Sequence, residues 1–131
     1  MTTLAETTFL NVDLMLESQT GVSRLLTALG AAITVLNNEE GRASLELAEQ
    51  PASPEDAVER LLSLIDALPA EAREEWARCT SRTLDVGIQS GASPYAAAFR
   101  LSSTVLARAA RLGADVVFTL YACPPPSSSV P

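Results

Sequence analysis

The chain has 131 residues, of which 47% are hydrophobic and 19% are charged, proportions typical of one globular domain with a single core. Sixteen acidic residues outweigh nine basic ones, all of them arginines, and give a net charge of −7. Because nucleic-acid phosphates and anionic membrane surfaces repel an acidic chain, we expect no nucleic acid and no membrane among its partners. A basic protein would be attracted, and the alternative is that the charge only maintains solubility.

Missing residue types exclude several chemistries. The chain has no histidine and no lysine, so it can form no Ser-His-Asp triad, no Cys-His pair, no histidine metal site, no P-loop lysine and no Schiff base. Cys79 and Cys123 have no metal-ligand spacing and are interpreted as independent reduced thiols, with a disulfide or redox role as the alternative. We therefore predict a protein that is not an enzyme and has no cofactor and no metal.

The sequence argues against a secretory signal and against a transmembrane segment. The N-terminal residues lack a basic patch followed by an apolar stretch, and no apolar run approaches the roughly 20 residues that span a bilayer. A cytoplasmic location is the resulting prediction.

The first half of the chain alternates strand and helix patterns. Leu10, Val12, Leu14 and Leu16 alternate with Asn11, Asp13, Met15 and Glu17, which predicts a half-buried strand over residues 9–18 with the first four of these residues inward. The elements predicted next are a helix over residues 22–29, a strand over 32–36, a turn over 37–41 and a strand over 44–47.

The second half begins with the clearest local signal, a capping box at Ser53, Pro54 and Asp56. The helix that it opens is interrupted at Pro69, and a second helix over residues 70–79 carries Trp76, interpreted as a core anchor, with a binding platform as the alternative. Further predictions are a strand over 83–89, a turn within 87–94, a short strand over 97–101, a helix after Ser102 with Val105, Leu106, Ala109 and Leu112 inward, and a strand over 115–122 with Val116, Phe118 and Leu120 on one face.

This order predicts an α+β fold: a two-layer α/β sandwich with a mostly antiparallel sheet and helices on one face, related to ferredoxin-like folds. The ends of the domain resemble each other, which predicts a pseudo-duplicated βαββ-αα-ββαβ arrangement. The predicted divisions are an N-terminal lead over residues 1–8, a single α+β domain over 9–122 and a mobile Pro/Ser-rich tail over 123–131.

Three segments resemble an uncharacterised bacterial family of domains of unknown function. They are residues 9–14 (Phe-Leu-Asn-Val-Asp-Leu), residues 85–91 (Asp-Val-Gly-Ile-Gln-Ser-Gly) and residues 112–117 (Leu-Gly-Ala-Asp-Val-Val) before Tyr121. The resemblance spans residues 7–122 and implies the fold and a bacterial origin, but no chemistry.

The candidate functional residues lie on the predicted solvent-facing side of the sheet. Asp13 and Asp85 occupy equivalent outward positions in two similar strands, and if these strands are neighbours the two carboxyl groups could perturb each other's pKa. The predicted partner-binding row is Asn11, Asp13, Glu17, Asp85 and Gln89, with Met15 among them. The alternative is a solvated polar face without a role.

From these patterns we predict a non-enzymatic protein-interaction module, an immunity-type or accessory protein that binds a basic protein partner through an acidic sheet face. The alternative is a small-molecule-binding or regulatory domain that works as a homodimer, with a ligand between its subunits. A third hypothesis is an enzyme that uses Asp13 and Asp85 as acid and base or to hold magnesium.

Overall fold

Alternating apolar side chains arrange the chain into one five-stranded sheet with four helices packed on it, which the computed structural model describes over residues 5–123. The strands are β1 (Thr8–Glu17), β2 (Ile33–Glu39), β3 (Arg42–Leu47), β4 (Ser81–Gln89) and β5 (Asp115–Tyr121). The helices are α1 (Ser23–Leu29), α2 (Pro54–Asp66), α3 (Ala70–Arg78) and α4 (Ser103–Arg111), and a single 3₁₀ turn (Gly30–Ala32) follows α1. The predicted α+β class is confirmed.

The strands lie in the order β2-β3-β1-β4-β5. Pairing is antiparallel everywhere except between β4 and β5, which are parallel and are joined through α4. The β1-α1-β2 connection leaves room for β3 between its strands, and the connection from β3 through α2 and α3 to β4 leaves room for β1. The sheet is therefore built from two interleaved crossovers and one direct crossover.

One face of the sheet carries the core. The inward side chains of β1, β3 and β4 are nearly all buried against the helices, whereas the side chains between them are half-buried or exposed. The largest fully buried side chains are Leu14, Leu16, Leu25, Leu45, Leu61, Leu62 and Leu84. The helices thus cover one face and leave the other open to solvent. Among residues 5–123 no helix is both long and apolar enough to cross a bilayer.

The predicted start of α2 is confirmed at atomic detail. The Ser53 hydroxyl accepts a hydrogen bond from Asp56 N at 3.1 Å, Asp56 Oδ2 accepts one from Ala52 N at 2.9 Å, and Pro54 is the first helical residue. The first bond satisfies a backbone N–H group that the first helical turn leaves without a partner, and the second ties the residue before the cap to the helix.

A Ser53→Ala substitution tests this cap. We expect a loss of roughly 0.5 to 1 kcal/mol in the free energy of unfolding, because the Asp56 N–H would lose its side-chain acceptor. Urea unfolding followed by circular dichroism measures the change, and Ser53→Asp, which restores an acceptor, is the control. An unchanged stability in Ser53→Ala would contradict this role.

The prediction that Leu10 faces the core is wrong. A bulge between Phe9 and Asn11 inserts one extra residue into β1, so that Phe9 pairs with Ile88 and packs against the core, while Leu10 is exposed. A bulge of this kind shifts the alternation by one residue, and periodicity alone does not reveal it.

The predicted strand over residues 97–101 is also wrong. In the described chain no strand lies between β4 and α4; Phe99 and Leu101 belong to a loop and pack against the core from there. The last part of the chain is therefore β4-α4-β5, and the ββαβ half of the predicted duplication does not form. Gly87 was predicted in a turn but lies within β4, opposite Asn11.

Three apolar residues, of which Leu106 was predicted to face inward and Phe118 and Leu120 to share one face with Val116, stay largely uncovered. Leu106 of α4 is 42% exposed, and Phe118 and Leu120 of β5 are 50% and 65% exposed, although Phe118 and Leu120 do share the face of Val116. The predicted Pro/Ser-rich tail lies, from residue 124 onward, outside the described residues, as does the start of the predicted lead at residues 1–4.

Candidate functional site: an acidic sheet face

The open face of the sheet is strongly acidic. Register and alternation place on it the charged residues Asp13, Glu17, Glu39, Arg42, Glu46, Asp85 and Asp115. Arg42 is the only basic residue that the five strands carry there, because Arg82 points to the helix side and donates to backbone carbonyls. We call the set of outward side chains on the five strands the acidic sheet face.

Three carboxyl groups cross the middle of this face on adjacent strands. Asp13 in β1 lies directly opposite Asp85 in β4, as the sequence predicted for neighbouring strands, and Glu46 of β3 lies on its other side. The pKa of Asp13 is raised to about 6 by four causes together, which are, from the largest, half-burial, the charge of Glu46, a hydrogen bond with Glu46 and the charge of Asp85. Within residues 5–123, no cationic group contributes to the pKa of Asp13.

Asp85 is held in place by the last strand. The hydroxyl of Thr119 donates a hydrogen bond to Asp85 Oδ1 at 2.7 Å. This bond satisfies one carboxylate oxygen and leaves Oδ2 without a side-chain donor among the hydrogen bonds of the described chain. The arrangement orients a negative charge on the face.

The other predicted residues are less available for a partner. Glu17 forms an ion pair with Arg42, with 3.1 Å between Nε and Oε1. The side-chain Oδ1 of Asn11 accepts a hydrogen bond from Val12 N, and the Gln89 side-chain amide donates to the backbone carbonyl of Ala122 at 2.9 Å. The structure thus brings Asp13, Glu17 and Asp85 together on one surface, while the amides of Asn11 and Gln89 serve the local backbone.

Apolar side chains flank the carboxyl groups. Met15 and Val117, both exposed, line a shallow depression of about 520 Å³ together with Glu17, Arg42 and Asp85. At the other end of the face, a Cβ placed at Gly87 would lie 3.7 Å from the Tyr121 ring and 3.9 Å from Leu10 Cβ, so Leu10 and Tyr121 approach each other over this glycine. The face therefore offers both charge and apolar contact area.

A larger depression of about 820 Å³ lies elsewhere, beside α2 and the end of β3. Its lining includes Ala32, Leu47 and Leu64, and an ion pair between Arg60 and Glu49 stands in it, with 3.9 Å between the charged atoms. Its polar lining consists of Glu49, Glu59, Arg60 and Ser63, and the Arg60 guanidinium is already paired with Glu49 and Asp56. We therefore place the candidate site on the acidic sheet face despite its smaller depression.

The geometry also bears on the hypothesis of a metal or acid-base site. Across residues 5–123 no group of three or more histidine, cysteine, aspartate or glutamate side chains is arranged to hold a metal ion. Cys79 is buried and Cys123 is exposed, and both are free thiols. Burial is the main cause that raises the pKa of the Cys79 thiol.

Sequence reasoning missed Glu46 and Thr119. Glu46 stands between the inward residues Leu45 and Leu47, so its outward orientation could be predicted from alternation. Its position beside Asp13 could not, because nothing local to the sequence indicates that β3 pairs with β1. Thr119 reaches Asp85 only because β5 adds to β4 in parallel.

Comparison of the chain with protein-family models, with curated proteins and with solved structures gives no match. The resemblance to a bacterial family of domains of unknown function stays a prediction.

Proposed function

We propose that this protein is a non-enzymatic interaction module of the bacterial cytoplasm, of the immunity or accessory type, which binds a basic protein partner through the acidic sheet face. The observation that carries the proposal is the line of Glu46, Asp13 and Asp85 across three adjacent strands, where no cationic side chain of the described part of the chain contributes to the pKa of Asp13. The neighbouring apolar side chains supply contact area around the charges.

The electrostatics of Asp13 support a cationic partner. Its raised pKa reflects a carboxyl group that is partly desolvated and surrounded by like charges. An arginine or lysine from a partner would lower this pKa, remove the repulsion and pair with Asp13 and Glu46 together. Long-range attraction by the acidic face would also speed the encounter and would weaken with added salt.

The fold assignment belongs to the same proposal. The order β2-β3-β1-β4, with two interleaved β-α-β crossovers, supports a ferredoxin-like core to which β5 adds a fifth strand. In such a two-layer arrangement one sheet face stays free of helices. That free face is the surface on which the carboxyl groups lie.

Affinity capture from a lysate of the source organism, with two matched variants, tests the proposal. The first variant carries Asp13→Asn, Glu17→Gln and Asp85→Asn; the control carries Glu59→Gln, Glu71→Gln and Glu74→Gln, three exposed acids of the helical layer. Both lose three negative charges, so only position distinguishes them. We expect the wild-type protein and the control to retain one basic protein that the first variant loses.

The captured protein then provides a second measurement. Titration calorimetry should show affinity that rises roughly tenfold from pH 5 to pH 7.5, because at the lower pH the partner must displace the proton held by Asp13. Equal loss of the captured protein in both variants would show that net charge matters and the sheet face does not. Retention by the first variant would contradict the proposal.

A further inference from the structure

The outer edge of β5 is apolar, and no strand of residues 5–123 pairs with it. β5 is the last strand of the described sheet, where its neighbour is β4. Four of its seven residues, Val117, Phe118, Leu120 and Tyr121, are exposed large hydrophobics, and Leu106 on α4, the helix that packs on β5, is a fifth. Isolated exposed apolar residues are common, but a continuous apolar edge strand is a ready template for another strand.

The backbone of this edge is oriented for pairing. Ser90 N donates to the Tyr121 carbonyl at 2.9 Å, so the polar backbone groups of Tyr121 face β4. Since these groups alternate from side to side along a strand, Val116, Phe118 and Leu120 direct their N–H and C=O groups away from the sheet. Three residues on the free edge are thus available as donors and acceptors.

The two edge strands of the sheet differ in their protection against pairing with a further strand. β2, at the other edge, contains a bulge between Val35 and Asn37 and ends in Asn37, Asn38 and Glu39. Bulges and polar or charged residues are the usual means by which edge strands avoid pairing. β5 keeps a regular register with β4 over its whole length, and its only charged residue, Asp115, is its first.

We infer that β5 pairs with β5 of a second copy of this chain, antiparallel and about a twofold axis through Phe118. This register uses all three outward residues, since Phe118 pairs with its counterpart and Val116 pairs with Leu120 of the second copy. Asp115 lies opposite Tyr121 of the second copy, so no two carboxylates meet. The result is a continuous sheet of ten strands.

The apolar surface at this edge reaches the lower limit for a specific dimer if all of it is buried. The five exposed apolar side chains are roughly half exposed, and side chains of this size present on the order of 100 Å² each, so each copy contributes on the order of 500 Å² of apolar surface. Two copies together reach roughly the 1,000 Å² expected of a specific interface. The twofold axis is perpendicular to the sheet, so Leu106, Phe118 and Leu120 of both copies meet on the helix side.

The proposed seam borders the acidic sheet face, on which Val117 and Tyr121 lie, but it does not include Asp13 or Asp85. Phe118 and Leu120 lie on the opposite side of the sheet from Asp13 and Asp85. The sequence analysis gives a homodimer as its alternative prediction. Pairing of β5 with β5 of a second copy would supply the interface of that homodimer.

Light scattering coupled to size-exclusion chromatography of the full chain, in reducing buffer, tests the inference. We expect the wild-type protein to have twice the 13.8 kDa mass of one chain. Leu120→Lys should weaken self-association by roughly 30-fold or more, as expected for a central interface residue, and should elute as a monomer on dilution. Leu36→Lys, at a 48% exposed position on the opposite edge strand, is the matched control and should stay dimeric.

Cysteine cross-linking tests the register in a Cys123→Ser background. Phe118→Cys places two thiols on residues that face each other across the axis at a Cα distance of roughly 5.5 Å, within disulfide range. Leu120→Cys places them four residues out of register, roughly 13 Å apart. Mild oxidation should link the first variant and not the second.

The opposite results overturn the inference. A wild-type protein that stays monomeric at millimolar concentration excludes a second copy as the occupant of this edge and leaves a strand of another protein. A dimer that survives Leu120→Lys but not Leu36→Lys would place the seam at β2. Cross-linking of Leu120→Cys in preference to Phe118→Cys would exclude the twofold axis through Phe118.

Discussion

Replacing Asp13 by asparagine should stabilise the protein at neutral pH. The folded structure raises the pKa of Asp13 from 3.8 to about 6, chiefly through desolvation and then through Glu46 and Asp85, so the ionised form is less favourable in the folded protein than in the unfolded chain. Such a difference would correspond to about 3 kcal/mol in a fully shielded site. Because Asp13 is only half-buried, solvent screening reduces the expected gain to roughly 1 to 2 kcal/mol.

The pH dependence of the free energy of unfolding shows whether the raised pKa of Asp13 is the cause of the stabilisation. A folded-state pKa above the unfolded value means that the folded protein binds the proton more tightly, so the contribution of Asp13 to stability is greatest below about pH 4 and is lost as the pH rises to about 6. Asp13→Asn should thus match the wild-type protein near pH 4 and exceed it from pH 6 upward. Urea unfolding at several pH values measures this difference.

Asp115→Asn is the control for the Asp13 experiment. It removes one exposed charge at the rim of the same face and should change stability little at any pH. If Asp13→Asn were destabilising at pH 7, or if its effect did not change with pH, the environment described for Asp13 would be wrong.

Replacing Trp76 by alanine should have the largest effect on stability. Trp76 is the only tryptophan, is 5% exposed and joins α3 to the end of α4 through a hydrogen bond of 3.0 Å from Nε1 to the Leu112 carbonyl. The Arg82 guanidinium lies 5.5 Å from its ring centroid. Loss of the side chain removes apolar burial and leaves a cavity, at a cost of roughly 3 to 5 kcal/mol, a large part of a typical total of 5 to 15 kcal/mol.

Trp76→Phe separates packing from hydrogen bonding. Phenylalanine keeps most of the apolar volume but leaves the Leu112 carbonyl without its donor, so we expect a loss of roughly 1 to 3 kcal/mol. Circular dichroism is the appropriate probe because both variants lack the tryptophan fluorophore. Equal stability of the wild-type protein and Trp76→Ala would contradict the role of Trp76 as a core anchor.

The two proposed surfaces are compatible with each other. A twofold axis perpendicular to the sheet places the acidic sheet faces of both copies on the same side of one continuous sheet. A dimer would then present two acidic surfaces to a partner, and a partner with two basic sites would gain avidity without new contacts. The acidic sheet face and the β5 edge can be disrupted separately, with Asp13→Asn and Leu120→Lys respectively.

Local pattern was sufficient for most of the elements and for part of the site. Alternation in β1 and β4 placed Asp13 and Asp85 on the outward side, and the two acids do lie opposite each other. The caps at Ser53 and Ser102 also follow from local chemistry, since each hydroxyl accepts a hydrogen bond from the backbone N–H three residues later. These features depend only on residues that are close in sequence.

The sequence by itself determined the side of a strand or helix on which each residue lies, through the period of its apolar side chains. That side depends on backbone geometry over only a few residues. What stands opposite a residue was decided by the tertiary structure. β3 pairs with β1 and so brings Glu46 to Asp13, and the helices reach the outer strand too sparsely to cover Phe118 and Leu120. Both outcomes depend on contacts between elements that are far apart in the sequence. No short stretch of sequence determines those contacts.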